Sequence, residues 1–356
     1  MNNIDHILPI PKHNYRVLVR CFTYNQSAYI QDALNGFVMQ KTNFPFVCLV
    51  MDDASTDGEQ DVLRRWMESE CDMSRAEIID IQTSVVIIAP HKNNTFCSFA
   101  FYLLKQNLYN DYNRKLMYVT PWREKCKYEA MCEGDDYWID PLKLQKQVDF
   151  LEANPEYGMC YSNFNIYFQQ TGITWYDNFT KRPDKFPMKY NTPEEFILRK
   201  GYVCPPSWLY RKESLPKSTL ESLDGTFVWF THFLCTTKVF VFMDVMATYR
   251  VCAESASHSA DYEKLYRRSW NLYTTQCKLI DCYKLDHELK KRCEINFFKE
   301  NLVQFILHDK KDDIVRAKKV LSGLESARDR ILFFLTNVPG GKYLLQLVYY
   351  CRSIVR

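Results

Sequence analysis

The sequence Met131-Cys132-Glu133-Gly134-Asp135-Asp136-Tyr137-Trp138-Ile139-Asp140-Pro141 places three carboxylates within four positions. They follow residues 128–132, a mostly apolar stretch that predicts a short buried strand. Asp140 and Pro141 then predict a helix start, with the aspartate as N-cap and the proline at the first helical position. Clustered acids at a strand end repel each other unless a cation lies between them. Mg²⁺ or Mn²⁺ binds one or two carboxylates together with substrate phosphates, so this stretch predicts a metal–diphosphate site.

The chain before this stretch alternates between strand-like and helix-like segments. Apolar runs predict strands at residues 15–21, 46–51 and 85–89. Apolar periodicity predicts helices from Ser27, as N-cap, to Val38, around Val62–Met67, and from Phe96 to Leu108. This alternation predicts an open α/β sheet that is mostly parallel and flanked by helices.

Polar side chains follow three of the predicted strands at the point where each strand ends. The clusters are Thr23, Tyr24 and Asn25, then Asp52 and Asp53, and finally Glu133, Asp135 and Asp136. In open α/β sheets, ligands bind outside the carboxyl ends of the strands. We therefore expect the three clusters to line one crevice.

The second half of the chain changes character near Ser259. Residues 158–162 and 239–243 predict further strands, whereas the pattern from about Asp261 onward is helical and rich in charges. The predicted organisation is therefore an α/β domain over residues 1–258 and a helical C-terminal region over residues 259–356.

Composition excludes several classes of protein. The net charge of +3, from 46 basic and 43 acidic residues, gives no reason to expect a nucleic-acid partner. The 14 cysteines include no C-x-x-C pair, which indicates reduced thiols in a cytoplasmic protein. Residues 1–6 lack the pattern of a signal peptide. The longest apolar stretch is interrupted by Asn337–Lys342, so no membrane span is predicted.

Three motifs in this order resemble those of the family 2 glycosyltransferases. They are the strand from Val17 to Asn25, the segment Asp52–Gly58, and the segment Cys132–Trp138, with Asp140–Gln147 and Met246–Arg250 matching further on. The resemblance covers about Tyr15 to Arg250 and is closest to bacterial enzymes that build surface polysaccharides. It implies a GT-A (Rossmann-like) fold, a nucleotide-diphosphate sugar donor, with UDP as the expected nucleotide, and an inverting transfer that uses Mn²⁺ or Mg²⁺.

The same resemblance assigns roles to the strand-end residues. Tyr24 would border the nucleotide base, with Thr23 and Asn25 nearby, while Asp53 would accept a hydrogen bond from the base and Asp52 would support the ribose. Asp135 and Asp136 would be the metal-binding acids, with Asp136 as the direct ligand. Glu133 stands where many members have the first aspartate of the motif, and its longer side chain would reach ribose or a metal-bound water.

Glycosyl transfer also needs a base on the acceptor side, because the attacking hydroxyl must lose its proton. In the family this base precedes a helix in the second half of the domain, which points to Asp224, with Glu221 as the alternative. Asp244 lies at a strand exit beside apolar residues and is expected to be structural. The acceptor would be a glycan or a lipid-linked glycan.

Several residues keep two interpretations. Trp138 and Tyr137 are expected either to shape an acceptor pocket or to pack in the core. Arg250 pairs with phosphate or with a nearby acid. His258 reaches the diphosphate from a loop or is a surface histidine.

The C-terminal segment and the overall function also have alternatives. Residues 331–335 and 341–356 would form a helical hairpin that packs on the rest of the protein or docks on an anionic membrane surface. The alternative to an enzyme is a non-catalytic sugar-nucleotide or glycan-binding module of the same fold. Prenyl-diphosphate enzymes carry similar acids, but within a helix rather than after a strand. Nucleotidyltransferases begin with a glycine-rich basic loop, which the first strand here lacks.

Overall fold

The computed structural model describes residues 11–109, 111–216, 220, 222–252 and 261–346. The chain divides into two compact units. The first contains Met1–Pro193, Gly201–Thr219 and Trp229–Ser259, and the second contains Glu194–Lys200, Leu220–Val228 and Ala260–Arg356.

Eleven described strands form one mixed sheet in the first unit. They are β1 (Tyr15–Thr23), β2 (Phe46–Asp52), β3 (Glu77–Asp80), β4 (Ser84–Pro90), β5 (Cys97–Leu104), β6 (Cys126–Met131), β7 (Tyr137–Trp138), β8 (Tyr157–Phe168), β9 (Ile173–Trp175), β10 (Leu209–Arg211) and β11 (Lys238–Val251). The strand order is β3-β4-β5-β2-β1-β6-β10-β8-β11-β7, and β9 pairs with β8.

The helices of the described residues fall between and after these strands. They are α1 (Ile30–Val38), α2 (Glu59–Glu70), α3 (Tyr112–Glu124), α4 (Lys143–Ala153), α5 (Asn178–Lys181), α6 (Pro193–Leu198), α7 (Gly225–Thr236), α8 (Tyr262–Cys282), α9 (His287–Leu307), α10 (Lys311–Val320) and α11 (Ala327–Leu335).

The centre of the sheet is parallel. β1 pairs in parallel with both β2 and β6, β2 pairs in parallel with β5, and β8 with β11. Every residue of β2 is buried, as expected for a strand covered on both faces. The prediction of an α/β protein with a mostly parallel sheet, flanking helices and a helical C-terminal region is confirmed.

Two apolar layers hold the helices against the sheet. Val17 and Val19 of β1 join the layer that contains Leu34 and Phe37 of α1. Leu18, which points to the other face, joins the layer that contains Trp122 of α3. This alternation is the period of two that a strand imposes, and it leaves the carboxyl ends of the strands free for the polar loops.

The predicted helix from Phe96 to Leu108 is wrong, because this segment contains strand β5. Its sequence CSFAFYLL is apolar except for Ser98 and almost wholly buried. A continuous apolar run of this length does not distinguish a buried strand from a buried helix, and pairing with β2 and β4 decides for the strand.

Two helix starts also differ from their predictions. Helix α1 begins after Tyr29, and Ser27 instead donates its backbone N–H to the Asp57 carboxylate at 2.9 Å. Helix α4 begins at Lys143, so Pro141 is not its first residue. Asp140 still accepts a hydrogen bond from the Leu142 backbone N–H at 2.8 Å, which stabilises the turn before the helix.

The second unit has its own core. Side chains of α9, α10 and α11 pack around Phe297, Leu302 and Phe305. Trp270 of α8 lies 4.5 Å from the Phe297 ring, measured between ring centroids. Within the described ranges, no helix has both the length and the apolarity that crossing a bilayer requires.

Candidate functional site

The loops after β2 and β6 lie on either side of the end of β1. The Asp53 backbone N–H donates to the Thr23 carbonyl at 3.0 Å, and the Gly134 backbone N–H donates to the Phe22 carbonyl at 3.1 Å. The three polar clusters found in the sequence therefore come together at one edge of the sheet.

Gly134 allows the loop after β6 to lie this close to the end of β1. A Cβ atom at this position would lie 2.7 Å from the Thr23 Cβ and would also overlap the Thr23 hydroxyl and the Gln26 amide oxygen. Any side chain would push the β6 loop away from β1. The glycine between Glu133 and Asp135 is thus required by packing.

Glu59, the first residue of α2, was not singled out by the sequence analysis. Its buried carboxylate accepts hydrogen bonds from the Thr23 hydroxyl, from the Gln26 backbone N–H at 2.8 Å and from the Ser55 hydroxyl at 2.9 Å. One acid therefore ties together the loops after β1 and β2. Burial raises the pKa of Glu59, and its hydrogen bonds oppose that rise. The signal that could have found it is an acid directly after Asp57-Gly58, at a helix start.

Asn25 and Tyr24 shape the loop after β1. Asn25 has a positive φ of 54° and accepts a hydrogen bond from the Thr56 backbone N–H at 2.8 Å through its side-chain oxygen. Asparagine tolerates this left-handed backbone better than most residues. Tyr24 is 44% exposed, so its ring is accessible at this edge of the sheet.

Asp52 and Asp53 are both buried and both hold the protein's own loops. Asp52 Oδ1 accepts from the Ser55 backbone N–H at 3.1 Å and from the Gln60 amide at 2.6 Å. Its buried Oδ2 has no hydrogen-bond partner in the described part of the chain. Asp53 accepts from the Leu108 backbone N–H at 2.7 Å and pairs with Lys115 at 2.7 Å. The ribose and base roles of these two acids remain predictions.

The acidic pair after β6 is partly to fully buried. Asp136 is 3% exposed and accepts a hydrogen bond from the Arg250 backbone N–H at 2.8 Å through Oδ1. Burial first, and the neighbouring Asp135 second, raise the pKa of Asp136. Burial also raises the pKa of Asp135. A cation bound between the two carboxylates would favour both ionised forms and so lower both pKa values.

The carboxylates present can hold a cation only if a bound ligand supplies further oxygen atoms. Among the described residues, no group of three or more His, Cys, Asp or Glu side chains is arranged to hold a metal ion. Asp135 and Asp136 supply two carboxylates, which is the number that Mg²⁺ uses when substrate phosphates provide further oxygens. The residues present therefore fit a cation that binds together with a diphosphate.

Glu133 lies on the same loop, and its partly exposed side chain contacts β1. Its carboxylate accepts from the Phe22 backbone N–H at 3.2 Å and lies 3.8 Å from Arg20. Burial raises the pKa of Glu133, and the Arg20 charge opposes that rise. Beneath it, Arg20 and Arg123 pair with the buried Glu129 at 3.2 and 2.6 Å. The sequence signal that could have indicated this network is a charged residue inside each of two predicted strands, Arg20 and Glu129.

Arg250 pairs with an acid and with backbone. Its guanidinium contacts Asp32 at 2.5 Å, the Gln169 side chain at 2.5 Å and the Asp135 carbonyl at 2.8 Å. The rings of Tyr29, Tyr137 and Tyr167 surround it with centroids 4.9 to 5.3 Å away. The ion pair with Asp32 agrees with the nearby-acid interpretation of Arg250, and the phosphate interpretation stays a prediction.

Trp138 is a core residue. It is 2% exposed, its indole N–H donates to the Pro206 carbonyl at 2.8 Å, and its ring centroid lies 5.0 Å from that of Phe37. The Lys143 ammonium lies 4.3 Å from the indole ring centroid. The acceptor-pocket interpretation of Trp138 is therefore wrong, because the side chain has no accessible surface to offer.

The residues considered for the base lie elsewhere in the chain. Asp224 belongs to the second unit, precedes α7 and forms an ion pair with Arg268. Its Oδ2 atom is buried and has no hydrogen-bond partner in the described residues. Glu221 and His258 lie outside the described residues. Asp244 pairs with Lys146 at 2.6 Å, which agrees with a structural role.

Comparisons with known proteins gave low similarities. No family model matches the chain. Uncharacterized proteins of Mycobacterium bovis and Mycobacterium tuberculosis are 27% identical over 257 residues, which is 70% of this chain. The match covers 62% of each relative, so the chain spans less than two thirds of their length.

Two solved structures also resemble this chain. Residues 1–349 of S. aureus TarS in complex with UDP are 16% identical, with 95% of this chain and 87% of that chain covered and a TM-score of 0.49. The mannosyltransferase PcManGT from Pyrobaculum calidifontis, in complex with GDP-Man and Mn²⁺, is 16% identical, with 97% and 87% covered and a TM-score of 0.48.

Proposed function

We propose that this protein is a glycosyltransferase of the GT-A fold that moves a sugar from a nucleotide-diphosphate donor to an acceptor hydroxyl. One observation carries the proposal: the loops after β1, β2 and β6 meet at the carboxyl edge of the sheet and bring the acidic pair beside them. This is the edge at which open α/β sheets bind ligands. The family 2 motifs in the sequence agree with it.

The donor would bind across these loops. The exposed Tyr24 ring would border the base, and Asp53 and Asp52 would lie on the base and ribose side. Asp136 and Asp135 would hold Mn²⁺ or Mg²⁺ together with the diphosphate. The cation would neutralise the negative charge that develops on the departing nucleoside diphosphate. Thr23, Asn25 and Glu133 would keep the loops in the geometry that the donor requires.

Asp224 is the proposed base for the acceptor. One of its carboxylate oxygens pairs with Arg268, and the other has no protein partner in the described residues. That second oxygen is buried in this structure, so the role of base is inferred from the family resemblance and not from its accessibility. Attack from the side opposite the diphosphate would invert the anomeric centre. We propose a UDP-sugar as donor and a glycan or lipid-linked glycan of a bacterial surface polysaccharide as acceptor, with the reaction in the cytoplasm.

Thermal unfolding with a panel of nucleotide sugars tests donor binding. A ligand that binds only the folded state raises the melting temperature by mass action. We expect a UDP-sugar to raise it, and Mn²⁺ to increase the effect. Asp136→Asn should abolish the increase that depends on Mn²⁺. Asp244→Asn, which changes an acid that pairs with the surface Lys146, should leave it unchanged. No shift with any nucleotide sugar, with or without Mn²⁺, would contradict the proposal.

The second candidate is a non-catalytic sugar-nucleotide or glycan-binding module. The ion pair between Asp224 and Arg268 favours it, because one oxygen of that carboxylate already accepts from a guanidinium. Turnover separates the two functions. Donor hydrolysis or transfer that Asp136→Ala abolishes identifies the enzyme, whereas donor binding without turnover across a broad acceptor panel identifies the module.

A further inference from the structure

Helix α11 has a second apolar face that points to solvent. Leu332 is buried in the core of the helical unit. Ile331 and Phe334, on the other side of the helix, are 60% and 65% exposed, and Val338 beyond its end is also exposed. The spacing of three residues between Ile331 and Phe334 places these two side chains on one side of α11. One apolar face of α11 therefore packs in the core of the helical unit, and the other is exposed to solvent.

Exposed apolar side chains continue after α11. Tyr343 and Leu344, in the helical residues 341–346, are 76% and 55% exposed. Single exposed apolar residues are ordinary, but this stretch has five large ones between positions 331 and 344. Concentrated apolar surface of this kind marks an interaction site.

Basic residues accompany this surface. Between positions 316 and 346 the chain has two acidic residues, Glu325 and Asp329, and six basic ones: Arg316, Lys318, Lys319, Arg328, Arg330 and Lys342. Lys342 is already paired with Asp309, so it adds little to the charge offered to a partner. Asp329 is buried in the capping box that begins α11, so it offers little charge to a partner. The Lys318 ammonium lies 5.8 Å from the Phe333 ring centroid, which brings a cation of α10 next to α11.

We propose that this basic apolar face, formed by Ile331, Phe334, Val338, Tyr343 and Leu344 with Arg328 and Arg330 beside them, docks on an anionic membrane surface. Apolar side chains enter the boundary between headgroups and acyl chains, while arginines and lysines contact anionic lipid headgroups. The sequence that follows, Leu347 to Arg356, has the same apolar and basic composition.

Charge favours a membrane over a second copy of the chain. A twofold interface would place the same surface on both subunits, so a face with more basic than acidic residues would meet an equally basic face. Like charges brought together at an interface cost several kcal/mol. An anionic lipid surface has the opposite charge and no such cost. Docking does not require glycosyl transfer, although it would bring the protein to a lipid-linked acceptor.

Vesicle flotation with the full chain tests this inference. We expect binding to phosphatidylcholine vesicles that contain about 30% phosphatidylglycerol, and much weaker binding to phosphatidylcholine alone. The double substitution Ile331→Ser and Phe334→Ser should lower the vesicle partition coefficient by about tenfold or more, because two large apolar side chains no longer enter the interface. Arg328→Glu with Arg330→Glu should lower it for anionic vesicles.

The matched control is Leu265→Ser with Val315→Ser. These two side chains are 45% and 66% exposed in the same unit but lie outside the basic apolar face. This variant should bind vesicles like the wild type. All variants should keep the wild-type melting temperature, since each changed side chain is exposed.

Two results would overturn the inference. One is equal vesicle binding by the wild type and the Ile331→Ser/Phe334→Ser variant, or no binding by either. The other is a dimer, detected by light scattering, that this variant converts to a monomer, since that would assign the face to a second copy. The melting-temperature shift with nucleotide sugars should be the same in wild type and variant. Failure of docking is thereby distinguished from failure of the proposed glycosyltransferase function.

Discussion

Arg250 holds the acidic pair through two different parts of the residue. Its backbone N–H donates to the Asp136 carboxylate, and its guanidinium donates to the Asp135 carbonyl. The remaining guanidinium nitrogens reach Asp32 on α1 and Gln169 after β8. The backbone and side chain of Arg250 together hold the loop that carries both acids. We therefore regard Arg250 as a positioning residue.

Arg250→Lys should separate this role from a simple need for positive charge. Lysine keeps the charge but cannot direct donors to Asp32, Gln169 and the Asp135 carbonyl at once. Loss of these buried contacts should lower the free energy of unfolding by about 2–4 kcal/mol. Urea unfolding measures this change, and Mn²⁺ binding in the presence of UDP, measured by paramagnetic resonance, should weaken in parallel. The matched control is Arg330→Lys at an exposed site, and a similar small change in both variants would contradict the assignment.

At the scale of elements, the site depends on ties between loops more than on the strands themselves. The strands bring Thr23 and Asp52 side by side through the parallel register of β1 and β2. Glu59 at the start of α2 then fixes the loop after β1 by accepting from the Gln26 backbone N–H and the Thr23 hydroxyl. The helix start is thus part of the candidate donor site, because it determines where the loop after β1 lies.

Glu59→Gln should loosen this loop without unfolding the protein. The glutamine oxygen can still accept from the Gln26 backbone N–H, while its NH2 faces the Thr23 hydroxyl, so these hydrogen bonds lose their charged acceptor and weaken. Burial disfavours the charged form of Glu59, so removing the charge offsets part of the loss, and global stability should change by about 1 kcal/mol or less. Hydrogen exchange at the Gln26 amide should become about tenfold faster.

The control for this variant lies on the same helix. Glu68→Gln changes an exposed acid of α2 and should leave exchange at Gln26 unchanged. Unchanged exchange in Glu59→Gln as well would show that the loop is held by other contacts.

At the scale of the whole molecule, a buried lysine makes folding depend on pH. Lys143 is fully buried, donates to the Gln147 side chain at 2.8 Å and to the Trp208 carbonyl at 3.2 Å, and lies on the Trp138 ring. Burial lowers the pKa of Lys143 from 10.5 to about 8. The unfolded chain therefore binds this proton more tightly than the folded one between pH 8 and 10.5. Stability from this group is greatest above pH 10.5 and is lost as pH falls through 8.

Lys143→Met should remove this dependence. Relative to the variant, the wild type should gain about 1 kcal/mol of unfolding free energy per pH unit between about pH 8.5 and 10. Urea unfolding at several pH values in this window measures the difference. Lys146→Met is the control, because carboxylates beside Lys146 raise its pKa and leave its charge unchanged over the window. Parallel pH profiles for wild type and Lys143→Met would contradict the prediction.

The sequence by itself determined the alternation of strands and helices and the location of the polar clusters. Both follow from local order along the chain: apolar runs predict strands, and the residues after each run lie at the sheet edge. Only the tertiary structure decided that Phe96–Leu108 contains a strand, that Glu59 ties two loops and that Arg250 pairs with Asp32. In each case the deciding partner is remote in sequence. An apolar run, a buried acid or an arginine has the same local pattern whichever partner the fold brings to it.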